Sequence, residues 1–85
     1  MSDGQRIDKW LFFARFFKSR ALAARIAEGG ETRLNGQPVA KAAQLVRPGD
    51  ELAFPTGPRG RRVRVLALAE SRRPAPEARL LYQEL

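Results

Sequence analysis

Neither cysteine nor histidine occurs in this sequence. The first absence excludes a disulfide framework and any thiolate metal site. The second removes the commonest metal ligand and the commonest general base. Ser2, Ser19 and Ser71 therefore have no histidine to activate them, and the acidic residues are scattered. Asp50-Glu51 reads as a turn and strand start rather than a catalytic pair. Gly57-Pro58-Arg59-Gly60 lacks the Gly-Lys-Ser/Thr ending of a phosphate-binding loop. Long apolar runs are also missing: none exceeds Trp10–Ala14, far short of a signal-peptide core or a membrane span. An enzyme, a cofactor, a metal and a membrane partner are accordingly not expected, and a cytoplasmic location is.

Negative charge is in short supply. Nine Asp and Glu face sixteen Lys and Arg, a net charge of +7 on 85 residues and a pI of about 11.3. Such an excess favours a polyanionic partner, nucleic acid first and an acidic membrane surface second. The basic residues are uneven: six in residues 1–30, three in 31–56 and seven in 57–85, against three acids in each stretch. Charge thus gathers at the start and at the Arg-rich end. The length fits one small domain over residues 1–85 and leaves no room for a second.

The chain is organised around residues 6–36. A helix is expected over Ile7–Phe17, with Ile7, Trp10, Leu11, Ala14 and Phe17 on one apolar face. Asp8 falls in its first turn, where the macrodipole favours an acid. Phe12 and Phe16 lie on the far side with Lys9. They are either covered, with Leu80-Leu81-Tyr82 the expected cover, or exposed as stacking platforms or a protein contact. A second helix is expected over Arg20–Glu28, capped by Ser19 and stopped by Gly29-Gly30. Lys18-Ser19-Arg20 would set two cations beside its N-terminus, a place suited to phosphate; the plainer reading is a capped, solvated corner. Asn35-Gly36, between Thr32-Arg33-Leu34 and Gln37-Pro38-Val39, is a strong hairpin signal because both residues accept positive φ.

Further on, Lys41–Leu45 reads as a connector and Pro48-Gly49 as a turn feeding a strand over Glu51–Phe54. Residues 55–60 read as a loop. Arg61–Ala69 alternates, with Val63, Val65 and Ala67 on one side and Arg62, Arg64, Leu66 and Leu68 on the other, which predicts a strand with an Arg-bearing face. After Arg72-Arg73-Pro74, Pro76 opens a last short helix over about Glu77–Glu84.

Taken in order, Arg6-Ile7-Asp8-Lys9-Trp10-Leu11, Lys18-Ser19-Arg20-Ala21-Leu22-Ala23, Asn35-Gly36, Lys41 and Pro48-Gly49-Asp50 resemble the S-four (S4) RNA-binding domain family. Arg72-Arg73-Pro74-Ala75, Glu77-Ala78 and Leu80-Leu81-Tyr82 extend the likeness toward the small ribosome-associated heat-shock proteins and their ribosome quality-control relatives. The resemblance implies an α+β fold: two N-terminal helices packed on a small antiparallel or mixed sheet, the alpha-L motif over about residues 6–54, with an Arg-rich strand and C-terminal helix over 61–84. It also implies binding of structured ribosomal RNA on a large ribosomal subunit carrying a stalled nascent chain on tRNA, with direct contact to the tRNA left open; a monomer is expected. By position it implicates Arg6, Lys9, Arg15, Lys18, Ser19, Arg20, Arg25, Arg33, Asn35 and Lys41 as RNA contacts, and makes Asp8, Gly36, Gly49 and Asp50 structural. The strand pattern adds Arg62 and Arg64. Two rivals are a helix-turn-helix DNA-binding module and a protein-interaction module using Phe12, Phe13 and Phe16.

Overall fold

The stripe Ile7, Trp10, Leu11, Ala14 and Phe17 is buried throughout, no member more than 7% exposed. It belongs to a computed structural model that describes residues 4–85, with Ser2 outside them. The helix carrying the stripe, α1, spans only Ile7–Phe13, four residues short of the expected Phe17. Arg15 ends it by taking a left-handed conformation, φ +66°. The Phe16 N–H then reaches the Leu11 carbonyl (3.1 Å) and the Arg15 N–H the Phe12 carbonyl (3.0 Å). These are the two bonds of a Schellman stop, a position usually held by glycine. Ala14 and Phe17 still face inward, so the apolar periodicity continues past the end of the helix.

Helix α2 spans Arg20–Ala27, one residue short of expectation. Its N-cap is Ser19, whose Oγ accepts from the Leu22 N–H at 3.1 Å. Gly30, at φ +94°, supplies the left-handed stop. Ala23 and Ala27 are fully buried against α1, their small side chains allowing close approach. Buried Thr32 ties the exit down, its hydroxyl donating to the Ile26 carbonyl at 2.8 Å.

Strands β2 (Arg33–Leu34) and β3 (Gln37–Pro38) form the expected hairpin, with Arg33 opposite Pro38 and Leu34 opposite Gln37. Both turn residues have positive φ, +51° at Asn35 and +84° at Gly36. Gly36→Val should lower stability by about 1–2 kcal/mol, because a β-branched residue resists that region. A thermal midpoint unchanged in that variant would mean the turn can adopt another shape at no cost.

The sheet continues with β5 (Glu51–Phe54), β6 (Arg61–Val65) and β7 (Tyr82–Glu84), in the spatial order β3-β2-β5-β6-β7. Every pairing among the described residues is antiparallel. With the helices this makes the α+β fold expected from sequence. Strand β5 matches the expectation residue for residue. Strand β6 stops four residues early: beyond Val65 the N–H groups of Leu66 and Ala67 both turn to the Leu81 carbonyl. A further pair escaped the sequence reading, β1 (Gln5–Arg6) against β4 (Leu45–Val46).

The C-terminus departs most. Helix α3 is one turn, Ala75–Ala78, followed by a 3₁₀ turn over Arg79–Leu81. Residues 82–84 then form the edge strand β7 in place of the second half of the expected helix. Leu81 is buried under this segment while Leu80 is 72% exposed, so only part of the expected cover packs inward.

Candidate nucleic-acid interface

Asp8 is 3% exposed, and its carboxylate joins the starts of the two helices. It accepts from Arg6 Nε (3.2 Å) and Nη2 (3.1 Å) and from the Lys9 N–H (2.7 Å), and it lies 3.6 Å from Arg20 Nε. The two guanidiniums are each nearly half exposed, 47% and 45%, so they present charge to solvent while their positions are fixed from beneath. Lys18 and Ser19 immediately precede Arg20 and are exposed. Lys41 precedes Ala42, whose backbone accepts from the Asp8 N–H at the start of α1 and donates to the Glu28 carboxylate at the far end of α2. Arg6 and Arg20 are thus held by one anchored carboxylate, with exposed Lys18 and Ser19 beside Arg20 in the chain.

Other candidates lie apart. Arg25 sits roughly 140° round α2 from Arg20, at 100° per residue. The Lys9 amine lies 5.7 Å from the centre of the Phe13 ring. Asn35 is held at both ends of its amide, donating to the Asp50 carboxylate (3.1 Å) and accepting from the Glu51 N–H (2.8 Å). It fastens the hairpin to the β5 turn, and Asp50 returns the favour by accepting from the Arg47 N–H. Arg33, Arg62 and Arg64 belong to the other side of the sheet. Arg33 and Arg62 both flank Ala53 in register, whereas Val63 and Val65 point into the core that the helices cover. Arg62 and Arg64 share Glu51 there, at 3.4 and 3.3 Å. The candidate cations are therefore divided between two faces.

The S4 domain family model matches residues 5–52, more than half of the chain. The chain belongs to the S4 domain family. Heat shock protein 15 of Escherichia coli K12 is 48% identical over 79 residues, covering 93% of this chain and 59% of that protein. The Haemophilus influenzae homologue is 43% identical, with 93% and 60% covered. The chain therefore spans about 60% of the length of these relatives. An "RQC P-site tRNA stabilizing factor" of Halalkalibacterium halodurans is 38% identical over 92% of this chain and 86% of its own. The solved structure of Vibrio cholerae heat shock protein 15, described as trimeric, superposes with a TM-score of 0.89 at 39% identity, covering 96% of this chain and 82% of that one.

Two cations that the sequence reading did not single out lie outside this S4 match and act on it. Arg72 donates from Nε to the Phe12 carbonyl (3.3 Å) and from Nη2 to the Phe17 carbonyl (3.1 Å). Its guanidinium also lies 4.6 Å from the centre of the Phe12 ring. Beside it the Arg73 N–H reaches the Phe13 carbonyl, and Arg15 Nη1 donates to the Arg73 carbonyl. Arg72 thus adds a second donor to the Phe12 carbonyl at the end of α1 and ties it to the Phe17 carbonyl beyond it. Arg61 lies 4.7 Å over the Phe16 ring and pairs with Glu84. Phe16 also meets Phe54 (4.9 Å) and Tyr82 (4.6 Å). Of the expected cover, Tyr82 protects Phe16, whereas Phe12 is covered by Arg72. The only legible hints were the Arg72-Arg73-Pro74 joint and the missing glycine stop after α1.

Proposed function

We propose that this S4-family chain is a non-enzymatic, cytoplasmic RNA-binding protein. Its partner is structured ribosomal RNA, and tRNA, on a large ribosomal subunit carrying a stalled nascent chain, and its role is ribosome rescue. The observation that carries this reading is the pair of half-exposed guanidiniums, Arg6 and Arg20, held on buried Asp8 next to exposed Lys18 and Ser19. Exposed cations held from beneath approach phosphates without paying to order themselves, and they supply affinity and register rather than base identity. The heat shock protein 15 relatives and the P-site tRNA stabilizing factors give the ribosomal context. The helix-turn-helix rival finds little support: α2 is eight residues long and alanine-rich, with few side chains to read bases. The protein-interaction rival loses its patch, because Phe12, Phe13 and Phe16 each carry a cation over the ring.

The deciding experiment is co-sedimentation with separated ribosomal subunits, with and without peptidyl-tRNA, at two salt concentrations. Selective retention on large subunits bearing peptidyl-tRNA is expected; equal, salt-labile binding to every RNA offered would reduce the reading to a generic basic domain. Sedimentation of the free protein checks the monomer, against the trimer described for the Vibrio cholerae relative. Lys18→Ala with Arg20→Ala should weaken RNA binding and lower the slope of log affinity against log salt by roughly one per lost phosphate contact. An unchanged slope would make the corner only a solvated helix cap.

A further inference from the structure

Leu22 and Ile26 belong to the apolar stripe of α2, yet both stay half-buried while their neighbours Ala23 and Ala27 are sealed. They form one wall of an open groove of about 570 Å³ between the α1–α2 corner and the loop around Pro55. That size falls within the range of about 300–1,000 Å³ typical of small-ligand clefts. Phe16, Phe17 and Pro55 add apolar lining, Thr56 a hydroxyl, and Arg15, Lys18 and Arg72 three cations; no carboxylate lines it. Arg15 and Lys18 are exposed. Arg72, itself part of the lining, braces the corner through the Phe12 and Phe17 carbonyls.

An open groove with an apolar wall and three lining cations suits a ligand that is flat and apolar in its body and anionic at its edge. We propose that this groove receives one unpaired nucleotide extruded from the bound RNA, its base against Leu22, Ile26 and Pro55 and its flanking phosphates at Arg15 and Lys18. The inference rests on the RNA-binding reading above and deepens it. Lys18 belongs both to the phosphate-binding corner and to the groove lining, so an RNA docked on the corner passes the groove mouth. Paired bases cannot enter, whereas bulged or looped bases can be splayed out and buried.

The test compares a fully paired RNA hairpin with the same hairpin carrying a single-nucleotide bulge, the bulged base being the fluorescent analogue 2-aminopurine. Wild-type protein should bind the bulged hairpin roughly tenfold more tightly, in keeping with the energy of burying one base, and should shield the analogue from acrylamide quenching. Leu22→Gln with Ile26→Gln should abolish both the preference and the shielding while leaving affinity for the paired hairpin unchanged; a melting curve verifies that this variant is folded. Shielding in the wild-type protein is decisive even if the variant does not fold. Equal affinity for the two hairpins, with the analogue fully quenched, would overturn the groove assignment and leave RNA binding intact. Displacement of neither RNA but capture of an acidic amphipathic peptide by the groove would also overturn it. Failure to bind either hairpin would overturn the RNA reading itself.

Discussion

Trp10→Ala is expected to remove about 3–5 kcal/mol of stability, the cost of emptying a buried aromatic site. The side chain is fully buried, at the centre of a core that gathers α1, α2, β5 and β6. Its indole N–H donates to the Ala67 carbonyl at 2.9 Å, so truncation leaves both a cavity and an unpaired carbonyl. A domain of this size holds in total roughly 5–15 kcal/mol, and each kcal/mol moves its midpoint by roughly 4–8 °C. The variant should therefore melt at least about 12 °C lower or be unfolded at 37 °C. Trp10→Phe keeps most of the volume and loses only the hydrogen bond, so it should retain most of the stability. Equal losses in the two variants would move the weight from packing to the indole hydrogen bond.

The second large effect is expected at Asp8. Asp8→Ala removes the acceptor shared by Arg6, Arg20 and the Lys9 N–H. Breaking a fully buried pair costs about 3–5 kcal/mol, but these guanidiniums are half exposed and regain water, so about 1.5–3 kcal/mol is expected. RNA affinity should fall further than stability predicts, because the two cations lose their common anchor. The salt slope should stay near its wild-type value, since no phosphate-binding charge is deleted. Asp8→Asn keeps an acceptor for Lys9 while losing the charge, and should fall between the two. Denaturant unfolding and RNA titration at several salt concentrations measure both terms. An Asn variant that matches wild type in both would show that the carboxylate charge anchors nothing.

Much of the N-terminal half was legible because its signals are local. Asn35-Gly36 can do little but turn, Ser19 caps the helix that follows it, and Glu51–Phe54 alternates cleanly after a Pro-Gly turn. The errors fall where distant partners decide. Helix α1 was drawn too long because its stop uses Arg15 where glycine would have announced it. The alternation of residues 66–69 continues with no neighbouring strand to pair, since Leu66 and Ala67 bond to Leu81 instead. Tyr82–Glu84 follow a helical start but are captured by the free edge of β6. Two-residue strands such as β1 and β4 have no period to detect. Among the candidate contacts, the residue types were readable, whereas their division between the helical side and the outer sheet face depends on strand register. Arg61 and Arg72 went unassigned because a cation that covers a ring looks, in sequence, like any surface arginine.

The brace from the C-terminal segment bears on the order in which this chain acquires its shape. Trp10 meets Ala67, Gln5 donates to Ala69, and Arg72 reaches Phe12 and Phe17, all across some sixty positions of sequence. During synthesis, both helices and the hairpin emerge first, with the indole N–H, the Gln5 amide and the Phe17 carbonyl still facing water. Contacts of such long sequence separation carry their loop-closure cost before they return any stabilisation. The corner that presents Lys18 is therefore finished last, although it is among the first parts of the chain to be made.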